Sequence, residues 1–137
     1  MRKLFAIPLL LLVTTVLVAE IGKKVGVVDK KFATVAGMLI GSTIVDVEGT
    51  FAVKNSLKNN PNFHFYEKNP MLRPFINAGR PAAYAVLGGM NTGIIALSYK
   101  MKKNANPTMR RLWWLPLVGM TGGHIATGAA NLRFRPR

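Results

Sequence analysis

The sequence contains no cysteine. That excludes a disulfide framework, a lipid-modified cysteine and any thiolate site for a metal or a nucleophile. Acidic residues are scarce as well, 5 against 19 Lys and Arg, and there are only 2 histidines. These histidines, with Asp46, Glu48 and Glu67, match no zinc-ligand spacing. No phosphate loop, dinucleotide fingerprint or nucleophile elbow is present, and there is no clear internal repeat. No metal, cofactor or catalytic residue is therefore expected. His64, set among Phe63, Phe65 and Tyr66, reads as an ordinary loop side chain.

What the sequence has is apolar residues in blocks, and charge of one sign between them. Half of its 137 residues are hydrophobic, and the net charge is +14. Such a charge can mark a nucleic-acid binder. Its placement argues against that here. The basic residues fall in short clusters beside the apolar blocks, as in loops that face lipid headgroups, where each Lys or Arg contributes about 1 kcal/mol near an anionic surface. The expected partner is a bilayer with anionic headgroups, not nucleic acid.

Residues 1–19 begin with Arg2 and Lys3 and continue as an apolar run from Leu4 to Ala19. This reads as a signal sequence, with cleavage after Ala19. Leu17 fits the small-residue rule poorly, which leaves an uncleaved signal anchor as the other reading. Residues 20–137 read as a three-helix membrane domain. Its spans are expected at about 32–53, 81–99 and 112–132, each long enough at 1.5 Å per residue to cross roughly 30 Å of hydrocarbon. Asn-Pro pairs at Asn60-Pro61, Asn69-Pro70 and Asn106-Pro107 suit helix N-caps, and residues 70–77 read as a short helix or a packed loop. Arg110, Arg111, Trp113 and Trp114 mark a membrane boundary. Basic residues divide almost evenly between the two sides, so they do not orient the domain.

Each expected span carries a Gly-x-x-x-Gly: Gly37 with Gly41, Gly89 with Gly93, and Gly119 with Gly123. Glycines four apart share one helix face and admit a neighbouring backbone. They point to a compact bundle or to packing in an oligomer. The costly residues are polar ones inside the spans. An acid near the centre of a span costs about 2.5–3.5 kcal/mol on insertion scales, so it faces protein or water and has a partner. Asp46 lies on the ridge Ser42–Asp46–Thr50. Glu48 points about 200° away around the helix, so the two acids do not form a pair. Thr121, His124, Gly128 and Asn131 line one side of the third span. A network of Ser42, Asp46, Thr50, Asn91, His124 and Asn131 is therefore expected. Its plain role is to join helices through hydrogen bonds; its sharper role is an Asp46–His124 relay for protons or ions.

The order Asp46-x-x-x-Thr50, Glu67-x-Asn69-Pro70-Met71 and a last helix bearing His124 and Asn131 resembles an uncharacterised group of small bacterial membrane proteins, a domain of unknown function. The resemblance spans roughly Ser42 to Leu132. It implies a three-helix membrane domain whose polar residues recur as a set, and it brings no substrate or activity.

The fold class expected is thus an all-α integral membrane bundle, located in the bacterial inner membrane. The expected function is a structural protein or an accessory subunit that associates with other membrane subunits or with itself. The alternative is a small transporter, channel or proton-relay component using Asp46 and His124. A membrane enzyme comes third, because it would need a second polar cluster from a partner chain.

Overall fold

The computed structural model describes residues 28–58, 65–67 and 69–133. The proposed signal segment, His64 and the Asn60-Pro61 pair lie outside the described residues. All regular elements among the described residues are helices: α1 (Lys30–Leu57), α2 (Arg73–Ala78), α3 (Arg80–Lys102), α4 (Pro107–Arg111) and α5 (Leu115–Arg133).

Helix α1 starts where the Asp29 side chain accepts a hydrogen bond from the Phe32 N–H at 2.9 Å, an N-cap that satisfies one of the four unpaired donors of the first turn. With 28 residues it runs about 42 Å, more than a hydrocarbon core requires. It is the one described helix that is both long and apolar enough to cross a membrane by length and composition. In α3 and α5, interior Gly, Thr, Asn and His dilute the apolar content.

Helix α1 overruns its expected span at both ends, because Lys30, Lys31 and Lys54 continue it. Helix α3 likewise extends to Arg80 and Lys102. The last helix starts at Leu115, not at residue 112. Pro116 needs a place in a first turn, and residues 112–114 form the turn before it, with the Leu115 N–H bonded to the Leu112 carbonyl at 3.0 Å. The basic stretch before it, expected as loop, contains α4. Asn106 caps that helix by accepting from the Thr108 N–H at 2.9 Å.

The short helix expected at 70–77 begins only at Arg73. Residues 69–72 form a turn instead. Glu67 accepts from the Asn69 N–H and Asn69 from the Met71 N–H, both at 3.0 Å. The Glu67–Asn69–Pro70 string is thus a self-bonded turn leading into α2. At the corner from α2 to α3, Gly79 has φ 112°, a conformation that side-chain-bearing residues rarely adopt.

The chain runs up, down and up. Phe32 meets Trp113 and Thr50 meets Asn131, so α1 and α5 are parallel. Asp29 meets Lys102 and Glu48 meets Tyr84, so α3 is antiparallel to both. Helix α1 packs most extensively on α5, and α3 leans more lightly on the pair. Two apolar clusters hold the ends. Phe32, Ala36, Leu39 and Leu117 form one, with Tyr99 and Trp113 against it. Val47, Phe51, Ile76, Ala83 and Leu87 form the other, where α2 closes over α1 and α3. The buried residues of α1 include Phe32, Ala36, Leu39, Thr43, Asp46 and Thr50, an alternation of four and three that keeps one seam facing a partner helix.

Candidate functional site

Between the two apolar clusters the interior is polar. Ser42, Thr43, Asp46, Thr50, Asn91, Thr121 and His124 are all buried. The outer surface at the same levels carries large apolar side chains: Met38 is 59% exposed, Val45 50% and Ile125 55%. This is the reverse of a water-soluble bundle, whose apolar stripe faces inward. Residues 81–99 and 112–123 contain no charged side chain at all.

Asp46 and His124 meet at the centre of this polar belt. His124 Nδ1 lies 2.7 Å from Asp46 Oδ2, and the residues are 6% and 8% exposed. One shared proton makes this bond: Nδ1–H donates to a carboxylate, or a carboxylic acid donates to a bare Nδ1. Nε2 of the same ring is buried and has no hydrogen-bond partner among the described residues. One turn further along α1, Asn131 Nδ2 donates to Thr50 Oγ1 at 2.9 Å. On the other side, Asn91 Nδ2 of α3 donates to Thr43 Oγ1 at 2.7 Å. The Oδ1 of Asn91 has no partner among the described residues.

The polar residues therefore form three separate cross-links, not one continuous network. Two tie α1 to α5 and one ties α1 to α3. Ser42 does not join them; its hydroxyl donates to the Leu39 carbonyl in its own helix at 2.9 Å. Thr43 takes that place and was missed by reading Asp46 at four-residue spacing. The three-residue step from Thr43 to Asp46 is the signal that finds it, once α1 is treated as a seam of alternating fours and threes. Glu48 points to a different neighbour, as its angle requires. It accepts from Tyr84 Oη at 3.0 Å and pairs with Arg80 at 3.2 Å.

The expected glycine pairs do not pack one described helix on another. Gly37, Gly41, Gly89, Gly93, Gly119 and Gly123 are exposed, and among the described residues no atom outside their own surroundings stands within 4 Å of where a Cβ would lie. They do not set the spacing of these helices. Close approach occurs at Gly49 and Gly128, which sit where α1 and α5 touch. A Cβ on Gly128 would stand 3.3 Å from Val45 Cγ1 and 3.5 Å from both N and Cα of Asp46. One on Gly49 would stand 3.3 Å from the Asn131 Cβ. These two glycines flank the Asp46–His124 pair and let its short side chains reach across.

At the end formed by the start of α1, a cationic and aromatic cluster closes the bundle. Phe32 packs edge-on to Tyr99 and tilted against Trp113, with centroids 6.4 and 5.4 Å apart. The Lys102 ammonium lies 4.6 Å from the Trp113 centroid and 2.6 Å from Asp29 Oδ1. The Lys102 bond, and then the Phe32 N–H, hold the Asp29 carboxyl below the usual carboxylate range. Among the described residues, no group of three His, Cys, Asp or Glu side chains is placed to hold a metal ion. Comparison with protein-family models, with curated proteins and with solved structures finds no match.

Proposed function

We propose that this chain is a small integral membrane protein of structural or accessory-subunit type, built as a three-helix membrane domain. The observation that carries the reading is the inverted polarity: buried Asp46, His124, Asn91 and Thr50 inside, exposed Met38, Val45, Val118 and Ile125 outside. In water that arrangement forgoes the hydrophobic driving force. In hydrocarbon it is favourable, because lipid solvates the apolar surface and the polar groups find partners inside the bundle. The three cross-links account for the interior as joinery, at roughly 0.6–2 kcal/mol each. The outward glycine ridges, which meet no other helix among the described residues, suit close contact with other membrane helices. The basic loops suit placement beside anionic headgroups, as in a bacterial inner membrane.

Membrane fractionation tests this. The full chain is expected to stay in the pellet through an alkaline carbonate wash, and to leave mild detergent as an oligomer or with another membrane protein. Release by carbonate rejects the membrane domain, and recovery as a lone monomer rejects the accessory role.

One observation favours a second reading, a proton or ion relay. The Asp46–His124 pair leaves Nε2 of His124 unpartnered in the buried belt, and Asn91 Oδ1 is in the same condition. These are open valences of the kind intramembrane ionisable groups use in relays. Proton flux in liposomes decides it: wild type must conduct and Asp46→Asn must not. No flux from wild type ends this reading.

A further inference from the structure

At the end of the bundle where α1 and α5 begin, a groove of about 470 Å³ opens on the outer surface between them. Its walls are Lys30, Lys31 and Val35 from α1, and Trp113, Trp114 and Val118 from the start of α5 and the turn before it. Lys31 and Val35 are four apart, as are Trp114 and Val118, so each wall runs along its helix axis. The helices are parallel, so the groove runs along the bundle as well.

The chemistry of the groove is divided. Its length is apolar, with Trp114 41% and Val118 46% exposed. Its outer end carries two ammonium groups. Among the described residues, no acid lies within salt-bridge distance of Lys30 or Lys31. Asp29, the nearest acid in sequence, already holds Lys102. A ligand that fits must bring an anion to the rim and an apolar chain along the helices.

We propose that this groove binds an anionic glycerophospholipid, with its phosphate between Lys30 and Lys31 and one acyl chain against Val35, Trp113, Trp114 and Val118. The site rests on the membrane reading, under which the groove runs along the bilayer normal as an acyl chain does. The indoles then lie at headgroup level, the depth they prefer, and the lysines add attraction toward an anionic surface. The site turns diffuse attraction to anionic lipid into a seat for one molecule.

The experiment uses the two tryptophans, the only ones in the sequence, both of which line the groove. The full chain is placed in vesicles of neutral phosphatidylcholine containing a fixed fraction of lipid with brominated acyl chains, carried either by phosphatidylglycerol or by phosphatidylcholine. Bromine quenches indole fluorescence at contact. The brominated anionic lipid is expected to quench at least threefold more than the brominated neutral lipid at equal fraction. The double variant Lys30→Gln/Lys31→Gln is expected to lose that preference but keep the quenching by neutral lipid. Lys100→Gln/Lys103→Gln, which removes the same charge from the same end of the bundle, is expected to keep the preference.

Equal quenching by the two lipids in wild type overturns the site and leaves the membrane reading intact. An equal loss in both double variants overturns it in favour of diffuse surface attraction. Competition by dissolved inorganic phosphate assigns the lysines to a free anion and overturns it too. Absence of quenching by either lipid removes the membrane reading and the site together.

Discussion

Replacing Gly128 with leucine is expected to force α1 and α5 apart and to be among the most damaging single changes in the chain. The Cβ alone would stand 3.5 Å from the backbone of Asp46 and 3.3 Å from Val45 Cγ1. Backbone cannot rotate aside as a side chain can, so three further carbons have nowhere to go without moving a helix. Overpacking of this kind costs about 1–3 kcal/mol, occasionally more. Separation would also draw His124 Nδ1 from Asp46 Oδ2, now 2.7 Å apart, and lose a further 0.6–2 kcal/mol or so. Unfolding of the detergent-solubilised chain by sodium dodecyl sulfate, followed by circular dichroism, measures it. Gly122→Leu, on the same helix but outside the glycine pairs, is the control. Its Cβ position is open, and a change there should stay within about 0.5 kcal/mol, as at other exposed positions. Equal loss from both changes would show that the contact between Gly128 and α1 is not what sets the helix spacing.

The second large effect is expected from Asp46→Ala. Removing the carboxylate leaves both ring nitrogens of His124 without a partner in a buried site. The loss is about 1–3 kcal/mol, the desolvation of a group left unsatisfied. The asymmetry is the useful part. Replacing both members with apolar residues of similar size removes the unpaired group as well as the bond, and such exchanges are often near neutral or stabilising. Asp46→Leu/His124→Leu is therefore expected to recover much of the stability lost in Asp46→Ala. The same detergent titration on the two variants decides the point. A double variant less stable than the single one would mean that Asp46 or His124 has further interactions that the pair does not account for. Because the double change keeps the apolar packing and removes both ionisable groups, this variant also gives the relay reading a control: it should fold and carry no protons.

Much of this was legible in the residues alone. The helical class follows from apolar blocks bounded by Asn-Pro, Trp and basic clusters. Asp46 and His124 stood out by cost, since an acid and a histidine inside apolar runs need partners. Their pairing was drawn from that need, and the 2.7 Å separation is what geometry adds. The separate fates of Asp46 and Glu48 follow from the angle between positions two apart on a helix.

Other features were out of reach for a physical reason. A Gly-x-x-x-Gly shows that a helix has a smooth face; it does not say which way that face points. Six such glycines face outward here, while close approach fell to Gly49 and Gly128, which form no such motif together. That choice depends on the rotation of α1 against α5, and rotation is set by all the contacts along the seam at once. Thr43 replaced Ser42 in the cross-links for the same reason, since one residue along a helix turns a side chain by about 100°. The groove at Lys30 and Trp113 joins residues more than eighty positions apart, and only the parallel packing of the first and last helices puts them side by side. By itself, the sequence determined which segments are helical, where charge is allowed and which polar residues must be partnered, because those depend on composition and local spacing. The tertiary structure alone decided who partners whom and which surface is left facing outward, because those depend on how three helices are turned against one another.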